Sequence, residues 1–514
     1  MWRKCRRETM GASASKEEHA TDIFNSILEG HEDISNLNGQ LDFLEYENLV
    51  FEGGGAKGVS YCGAVRALED VGLLKNFKRF AGTSVGSITA MILAVGGSSA
   101  DGLAEALYDF QHLLQDSSRL VMPINICRYF GWHNGDRIMK HLYDRVEHLS
   151  GNRHLTFEGL YKMRGIELCV VVTNLSSCSE EYFHPKTTPD LPIALAVRMS
   201  ISIPVLFKPQ IRHDNMRQER HVYVDGGLCN NYPLAAFDGW FLSMNKEDSF
   251  FHMIGSKVPR FGTINNKTLG LLVFDAHESE TDEDVYLKRY RDKMPERPKT
   301  HLAVRNGKAV DKKMEKLLRR YKTMDAAKNF LDLLSKCDLD RSGTISLIEF
   351  KQAIEKVKTG QVSSEEWELL FGVNPSQMDP EQLFRDIDVN SDNEISFNEF
   401  LAFMAKKGVP LREMMIEGVP HMDIQSVGSF FASLLETNMF VMKKLLAKPG
   451  DSDRSIGIYT DYVGTVDFAM QMEDKAYLVK HGWLAAVAFL REKLKSKGKV
   501  AGGSASDSYT VKCA

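Results

Sequence analysis

A short apolar strand running straight into a glycine-rich turn constrains this chain more than any other feature. Asn48-Leu49-Val50-Phe51-Glu52 is followed by Gly53-Gly54-Gly55-Ala56-Lys57-Gly58. Over the next segment, 59–72, Val59, Cys62, Val65, Leu68 and Val71 recur at three-residue steps. That spacing predicts an amphipathic helix, and Gly72 supplies its stop. A second short strand, 79–82, leads into Gly82-Thr83-Ser84-Val85-Gly86, and an almost wholly apolar helix follows to about 95. A helix that is apolar all round is a buried one. Strand, helix and strand joined by short turns form a βαβ unit, with parallel strands and a right-handed crossover. Further strands are expected at 166–173, 221–225 and 269–274. The first is a near-continuous apolar run, as in a sheet covered on both faces.

Gly82 and Gly86 flank Ser84 in the pattern of a nucleophile elbow, where two glycines permit a sharp strand-to-helix turn that lifts the hydroxyl above the sheet. Alone, this pentapeptide is a weak signal. Its spacing strengthens it: Gly54 lies 84 − 54 = 30 residues before Ser84, one βαβ unit away. Both turns then sit at the carboxyl ends of parallel strands, where open α/β sheets place their sites. Glycine-rich backbone at the start of a helix offers N–H groups and a positive dipole end. A tetrahedral oxyanion needs such donors, at about 3 Å. Nucleotide readings of the same loop fail. A dinucleotide fingerprint wants an acidic residue where the serine elbow stands, and a P-loop wants Gly-Lys followed by Ser or Thr, whereas this chain has Lys57-Gly58-Val59.

Three blocks in order, Gly53–Gly58, Gly82-Thr83-Ser84-Val85-Gly86 and Asp225-Gly226-Gly227, resemble the motifs of patatin-like phospholipases. The stretch 196–207 (AVRMSISIPVLF) is similar to the segment that precedes the aspartate motif in that family. The resemblance spans roughly 46–280 and resumes at 408–495, where Thr465-Val466-Asp467-Phe468 and the last helix look like the family's end. It implies a patatin-like three-layer α/β/α sheet hydrolase with Ser84 as nucleophile and Asp225 as its base. Gly53, Gly54, Gly55, Ala56, Lys57 and Gly58 would then form the oxyanion loop. No histidine would stand between serine and aspartate. A serine–histidine–aspartate triad of α/β-hydrolase order would instead need a late histidine, His421 or His481. His481 falls in a segment, 473–495, that reads as an amphipathic surface helix. A free carboxylate with a pKa near 3.9 is a poor base for a hydroxyl, so the dyad requires burial to raise it.

Residues 331–404 are a different kind of sequence. Asp338-x-Asp340-x-Ser342-Gly343-x₅-Glu349 matches the twelve-residue EF-hand loop, with hard oxygen ligands, a glycine at the sharp turn and a closing bidentate glutamate. Asp388-x-Asn390-x-Asp392-Asn393-x₅-Glu399 is a second copy, with asparagine in the glycine place. Asparagine is among the residues that best tolerate left-handed backbone. Thr344 and Glu394 hold the seventh positions, which ligate through the backbone carbonyl, and Ile345 and Ile395 hold the eighth. The loops start 388 − 338 = 50 residues apart, a long interval that includes an expected extra helix at 364–371. Ca2+ is expected at these loops and not at the ester site, since no carboxylate cluster accompanies Ser84. Inserted in the hydrolase, the module suggests a calcium switch whose groove has no identified target.

The expected domains are a polar leader at 1–45 and a hydrolase in two parts, 46–290 and 408–498. A connecting helix with the EF-hand module occupies 291–407, and 499–514 is a Gly/Ser/Lys-rich disordered tail. The basic stretch 312–322 reads as a solvated connecting helix. A net charge of −5 argues against a nucleic-acid binder. The eight cysteines are scattered with no close pair, which favours a reducing compartment. The basic N-terminus is not followed by an apolar run, so it is not a secretory signal. Residues 10–15 would fit a myristoylation pattern if translation started at Met10; the plainer reading is a flexible tail. The longest apolar run, 88–97, is too short to span a bilayer. The expected setting is therefore cytoplasmic or at a peripheral membrane surface. The leading expectation is a lipid acyl hydrolase acting on phospholipid, responsive to calcium. The alternatives are a triacylglycerol lipase and a catalytically silent calcium-binding lipid adaptor.

Overall fold

The computed structural model describes residues 20–108, 113, 116–117, 122–214, 219–276, 285–358, 363–372, 374, 379–406 and 424–502. The myristoylation pattern, His421, positions 503–514 and most side chains of 312–322 lie outside the described residues. The chain divides into two compact units, Met1–Gly307 with Asp423–Ala514, and Lys308–Met422.

The first unit is built on one sheet. Its strands are β1 (Asn48–Phe51), β2 (Arg79–Thr83), β4 (Glu167–Asn174), β5 (Ser179–Phe183), β7 (Gln210–Asp214), β8 (Glu219–Asp225), β9 (Thr268–Phe274) and β12 (Ser455–Tyr459). A separate two-stranded ribbon joins β3 (Gly131–His133) to β6 (Val205–Phe207). The main order is β12-β9-β1-β2-β4-β8-β7, with β5 also on β4. From β12 to β4 every neighbour pair is parallel, whereas β5, β7 and β8 run antiparallel to their partners. The sheet is thus mixed, not parallel throughout. β1, β9 and β12 are buried at every residue, because helices cover both faces.

The expected helix at 59–72 starts as a 3₁₀ turn, Gly55–Ser60, and becomes α-helical over Tyr61–Asp70. It packs against the last helix, Met472–Gly502, at two glycines. A Cβ on Gly63 would come within 1.8 Å of the Val479 carbonyl, and one on Gly482 within 1.8 Å of the Ser60 carbonyl. This packing corrects two expectations. The last helix runs past 499, to Gly502. It is also no surface helix: His481 is fully buried between the rings of Tyr459 and Tyr477. Burial pushes its pKa down to about 4, so the ring is neutral near pH 7.

The second unit pairs its two loops through β10 (Ile345–Ser346) and β11 (Glu394–Ile395), antiparallel with Ile345 opposite Ile395. The extra helix between the loops, Ser364–Phe371, opens with a capping box of Ser363 and Glu366. It inserts Trp367, fully buried, against Phe330 and Phe371, so the long interval between the loops forms part of the module's core. Burying a side chain of this size removes about 150–250 Å² from water.

Candidate active site

Ser84 stands where β2 ends and the helix Val85–Ala94 begins, with φ 50° and ψ −129°. A non-glycine residue held in such a region costs about 1–3 kcal/mol, so its surroundings must impose it. They do so by close approach. A Cβ on Gly82 would lie 2.3 Å from the Gly86 carbonyl, and a Cβ on Gly86 would lie 2.5 Å from the Glu52 carbonyl. The elbow therefore packs directly on the end of β1. The Ser84 N–H donates to Ser200 Oγ at 2.9 Å, and Ser200 Oγ donates to the Val171 carbonyl at 2.6 Å. The Ser84 carbonyl accepts from Ser87 Oγ at 2.6 Å. With its backbone clamped on both sides, Ser84 directs Oγ to Asp225 Oδ2, at 2.6 Å.

Asp225 reaches the serine by an unusual route. β5 pairs with residues 170–174 of β4, which overlaps the β4 residues paired with β2 and also those paired with β8. A strand has only two edges, so β2 and β8 share the other one. They run toward each other along it: Thr83 is opposite Val171, and Asp225 is opposite Val172. The two carboxyl ends abut, and the side chains that follow meet. Asp225 Oδ1 accepts the Gly227 N–H at 2.8 Å. Burial raises the carboxyl from its ordinary range to about 6, against the opposing pull of the Ser84 and Gly227 hydrogen bonds.

The glycine loop passes directly beside this pair. A Cβ on Gly53 would lie 2.3 Å from Asn231 Oδ1 and 3.1 Å from Ser84 Cβ. Gly53 N–H donates to the Asn231 carbonyl at 2.9 Å, and Asn231 Nδ2 donates back to the Gly53 carbonyl at 3.0 Å. Ala56 N–H donates to the Thr465 carbonyl at 2.9 Å and Lys57 N–H to the Gly54 carbonyl at 3.1 Å. The N–H groups of Gly54 and Gly55 donate to no acceptor among the described residues. Gly55 has φ +54°, and a Cβ there would lie 2.1 Å from the Thr465 carbonyl. Lys57, buried, faces Asp275 at 3.7 Å and ties the loop to the residue after β9. Val85, first in its helix, has an N–H with no intrahelical partner.

Ser84 opens onto an apolar cleft walled by Val59, Ile88, Ile92, Ile201, Phe207 and Phe468. Together with the open solvent at its mouth it holds about 870 Å³ of empty space. His481 lines no part of it, and among the described residues the hydrogen bonds of Ser84 and Asp225 include no histidine. Motif reading passes over Asn231, and it covers Ser200 and Thr465 only as members of family-like stretches without marking them as partners of the elbow and loop. Only the glycines' need for close partners hints at them, and it does not say which.

In the second unit, one carboxylate oxygen each from Asp338, Asp340 and Glu349 lies within 4.8 Å of the others. Gly343 turns at φ +80° and Asn393 takes the same left-handed backbone at φ +68°. Asp338 accepts N–H groups from Ser342 and Gly343, and Asp388 accepts those of Asp392 and Asn393. Glu349 and Glu399 reach back across their loops to the N–H groups of Leu339 and Val389. Hydrogen bonds from the Ser346 and Ser396 amides hold these glutamates below the ordinary range, hence ionised. Thr344 Oγ1 donates to Glu394 Oε2 at 2.6 Å across the pair. A converging set of carboxylates on turns of this shape fits a hard divalent cation.

The family model for patatin-like phospholipases matches residues 49–238, and that for an EF-hand domain pair matches 328–405. A probable lipid hydrolase, 463L, of Invertebrate iridescent virus 6 is 28% identical over 204 residues, 40% of this chain and 67% of that protein. An uncharacterized protein, R571, of Acanthamoeba polyphaga mimivirus is 32% identical over 197 residues; the match takes in 38% of this chain and 62% of that relative, less than two thirds of its length. Among solved structures, VipD from Legionella pneumophila is 17% identical with a TM-score of 0.39, covering 87% of this chain and 67% of that one. The three motif blocks, the mixed sheet flanked by helices and the family match over 49–238 converge: the chain belongs to the patatin-like phospholipase family and carries an EF-hand pair within its length.

Proposed function

We propose that this protein hydrolyses the carboxylic esters of acyl lipids, phospholipids foremost, with Ser84 as nucleophile and Asp225 as general base. The observation that carries the reading is the 2.6 Å contact from Ser84 Oγ, at the wall of an apolar cleft, to the buried carboxylate of Asp225. Asp225 Oδ2 takes the hydroxyl proton as Oγ attacks the ester carbonyl. The N–H groups of Gly54, Gly55 and Val85 are the donors available to the oxyanion; one such donor is worth about 10²–10³ in rate. Asp225 then protonates the departing alcohol, and water resolves the acyl-enzyme. The raised pKa supports this role, since a base is most effective when its pKa approaches the working pH.

The EF-hand loops are read as calcium sites. Asp338, Asp340, Ser342, Thr344 and Glu349 would hold one ion, and Asp388, Asn390, Asp392, Glu394 and Glu399 the other. The ion would supply charge compensation that orders the loops, and with it a calcium response of the enzyme. No helix among the described residues is long and apolar enough to cross a membrane.

The test is hydrolysis of mixed-lipid vesicles by wild type, Ser84→Ala and Asp225→Asn, each with calcium or chelator. Wild type should release fatty acid from phospholipid, and both variants should not. Release only from triacylglycerol would move the substrate class. No release from any lipid would leave the calcium-binding adaptor. Equal rates with calcium and chelator would make the ion a stabiliser only.

A further inference from the structure

An exposed rim, joined to the cleft wall through Phe207, plays no part in the catalytic contacts. Phe207, in the cleft wall, belongs to β6, and β6 pairs in parallel with β3. The pairing is very close: a Cβ on Gly131 would lie 2.2 Å from the Phe207 carbonyl carbon. β3 alternates, with Gly131 and His133 buried and Trp132 outward, and Asn125 Nδ2 holds the Trp132 carbonyl at 3.1 Å. The helix Met122–Tyr129 leads into this ribbon. On this edge Ile124 and Phe130 are each 62% exposed, and Tyr129 and Trp132 are open as well. Lys208, next after β6, lies over the Tyr129 ring at 4.7 Å, and Arg128 lies over the same ring at 5.6 Å. Phe130 has φ +64° and Val205, opposite Gly131, has φ +70°. For a β-branched residue this is a true outlier, and strain of this kind collects at functional positions.

Charge indicates what the rim meets. The helix Met122–Tyr129, the strands β3 and β6 and Lys208 contain no Asp or Glu; Asp116 beside them is turned inward onto His133 and the N–H groups of Asn134 and Asp136, and Asp136 follows the ribbon. An exposed set of Trp, Tyr, Phe and Ile flanked by Arg and Lys is what a membrane–water interface selects.

We infer that the ribbon of β3 and β6, with the helix before it, seats the cleft mouth on a bilayer carrying anionic headgroups. Ile124, Phe130 and Trp132 enter the interface, while Arg128 and Lys208 face the phosphates. This rests on the acyl-lipid reading of the cleft, which it supplies with a docking surface. The full-length Ser84→Ala protein, which leaves vesicles intact, is sedimented with phosphatidylcholine vesicles with or without phosphatidylserine. Ile124→Ser/Arg128→Glu, and separately Lys208→Glu, are then added in that background. Each basic side chain at an anionic surface favours binding about fivefold, so the double variant should bind serine-containing vesicles roughly tenfold or more weakly. In the Ser84 protein the same substitutions should leave hydrolysis of a soluble monomeric ester within about twofold, which also reports folding. Unchanged vesicle binding in both variants, equal binding of neutral and anionic vesicles by the parent, or loss of self-association in place of vesicle binding each overturns the inference. If the unsubstituted protein cleaves no ester yet binds as described, the hydrolase reading fails and the docking surface stands.

Discussion

Thr83 and Asp225 pair with consecutive residues, Val171 and Val172, on one edge of β4, from strands that run toward each other. The residue after Thr83 is Ser84, so the candidate nucleophile and base meet because two strand ends abut. This arrangement needs no intermediate side chain, and it buries the carboxylate.

Asp225 must be ionised to accept the serine proton, and burial places its pKa at about 6. kcat/KM is therefore expected to fall tenfold per pH unit below about 6 and to level off above it. A rate profile flat from pH 5 to 8 would remove Asp225 as the titrating base.

The same shift has a stability consequence of definite sign. A carboxyl whose folded pKa is raised binds its proton more tightly in the folded state, so the folded protein is favoured below the unfolded value of 3.8 and loses that advantage as pH rises through about 6. The ionised group then costs on the order of 3 kcal/mol at neutral pH. Asp225→Asn should be inactive yet more stable than wild type at pH 7–8, with the gain vanishing near pH 4. Thermal melts across this range decide it, and a variant less stable at pH 8 than wild type would contradict it.

Gly55 combines a left-handed backbone with a Cβ position 2.1 Å from the Thr465 carbonyl. Gly55→Ala must move either the loop or the 465 segment, and with it the Gly54 and Gly55 donors. The expected loss is about 10²-fold in kcat, the scale of one oxyanion donor. Circular dichroism and melting should remain close to wild type. Gly151→Ala, where nothing lies within 4 Å at a similar φ, is the control for backbone strain alone.

Ser200 is a positioning residue: its hydroxyl oxygen accepts the Ser84 N–H, and its O–H donates a hydrogen bond to the Val171 carbonyl. Ser200→Ala leaves that N–H unpaired in a buried place, at about 1–3 kcal/mol. If it acts through the serine, kcat should fall about tenfold with KM unchanged. A lowered melting temperature with full kcat would make the role structural only.

In the EF-hand pair, Glu349→Gln removes a closing carboxylate and should weaken calcium at the first loop about tenfold or more. Asn393 already adopts φ +68°, so Asn393→Gly should shift affinity by less than about threefold. Titration calorimetry measures both. A large gain from Asn393→Gly would show that asparagine strains the loop.

Local sequence determined much of this protein. The turns around Gly53–Gly58 and Ser84, the strands beside them and the two EF-hand loops are legible because glycine placement and side-chain periodicity act within a few residues. The left-handed turn at Asn393 is foreseeable for the same reason. Tertiary structure alone decided the rest. That β8 runs antiparallel and ends against β2 depends on which edge of β4 was left open by β5, a long-range outcome that no local period encodes. It also chose Ser200, Asn231 and Thr465 as the partners that hold the elbow and loop. It drew His481 into the core, because the glycines at 63 and 482 let two helices touch backbone to backbone, burying a face that composition presents as amphipathic.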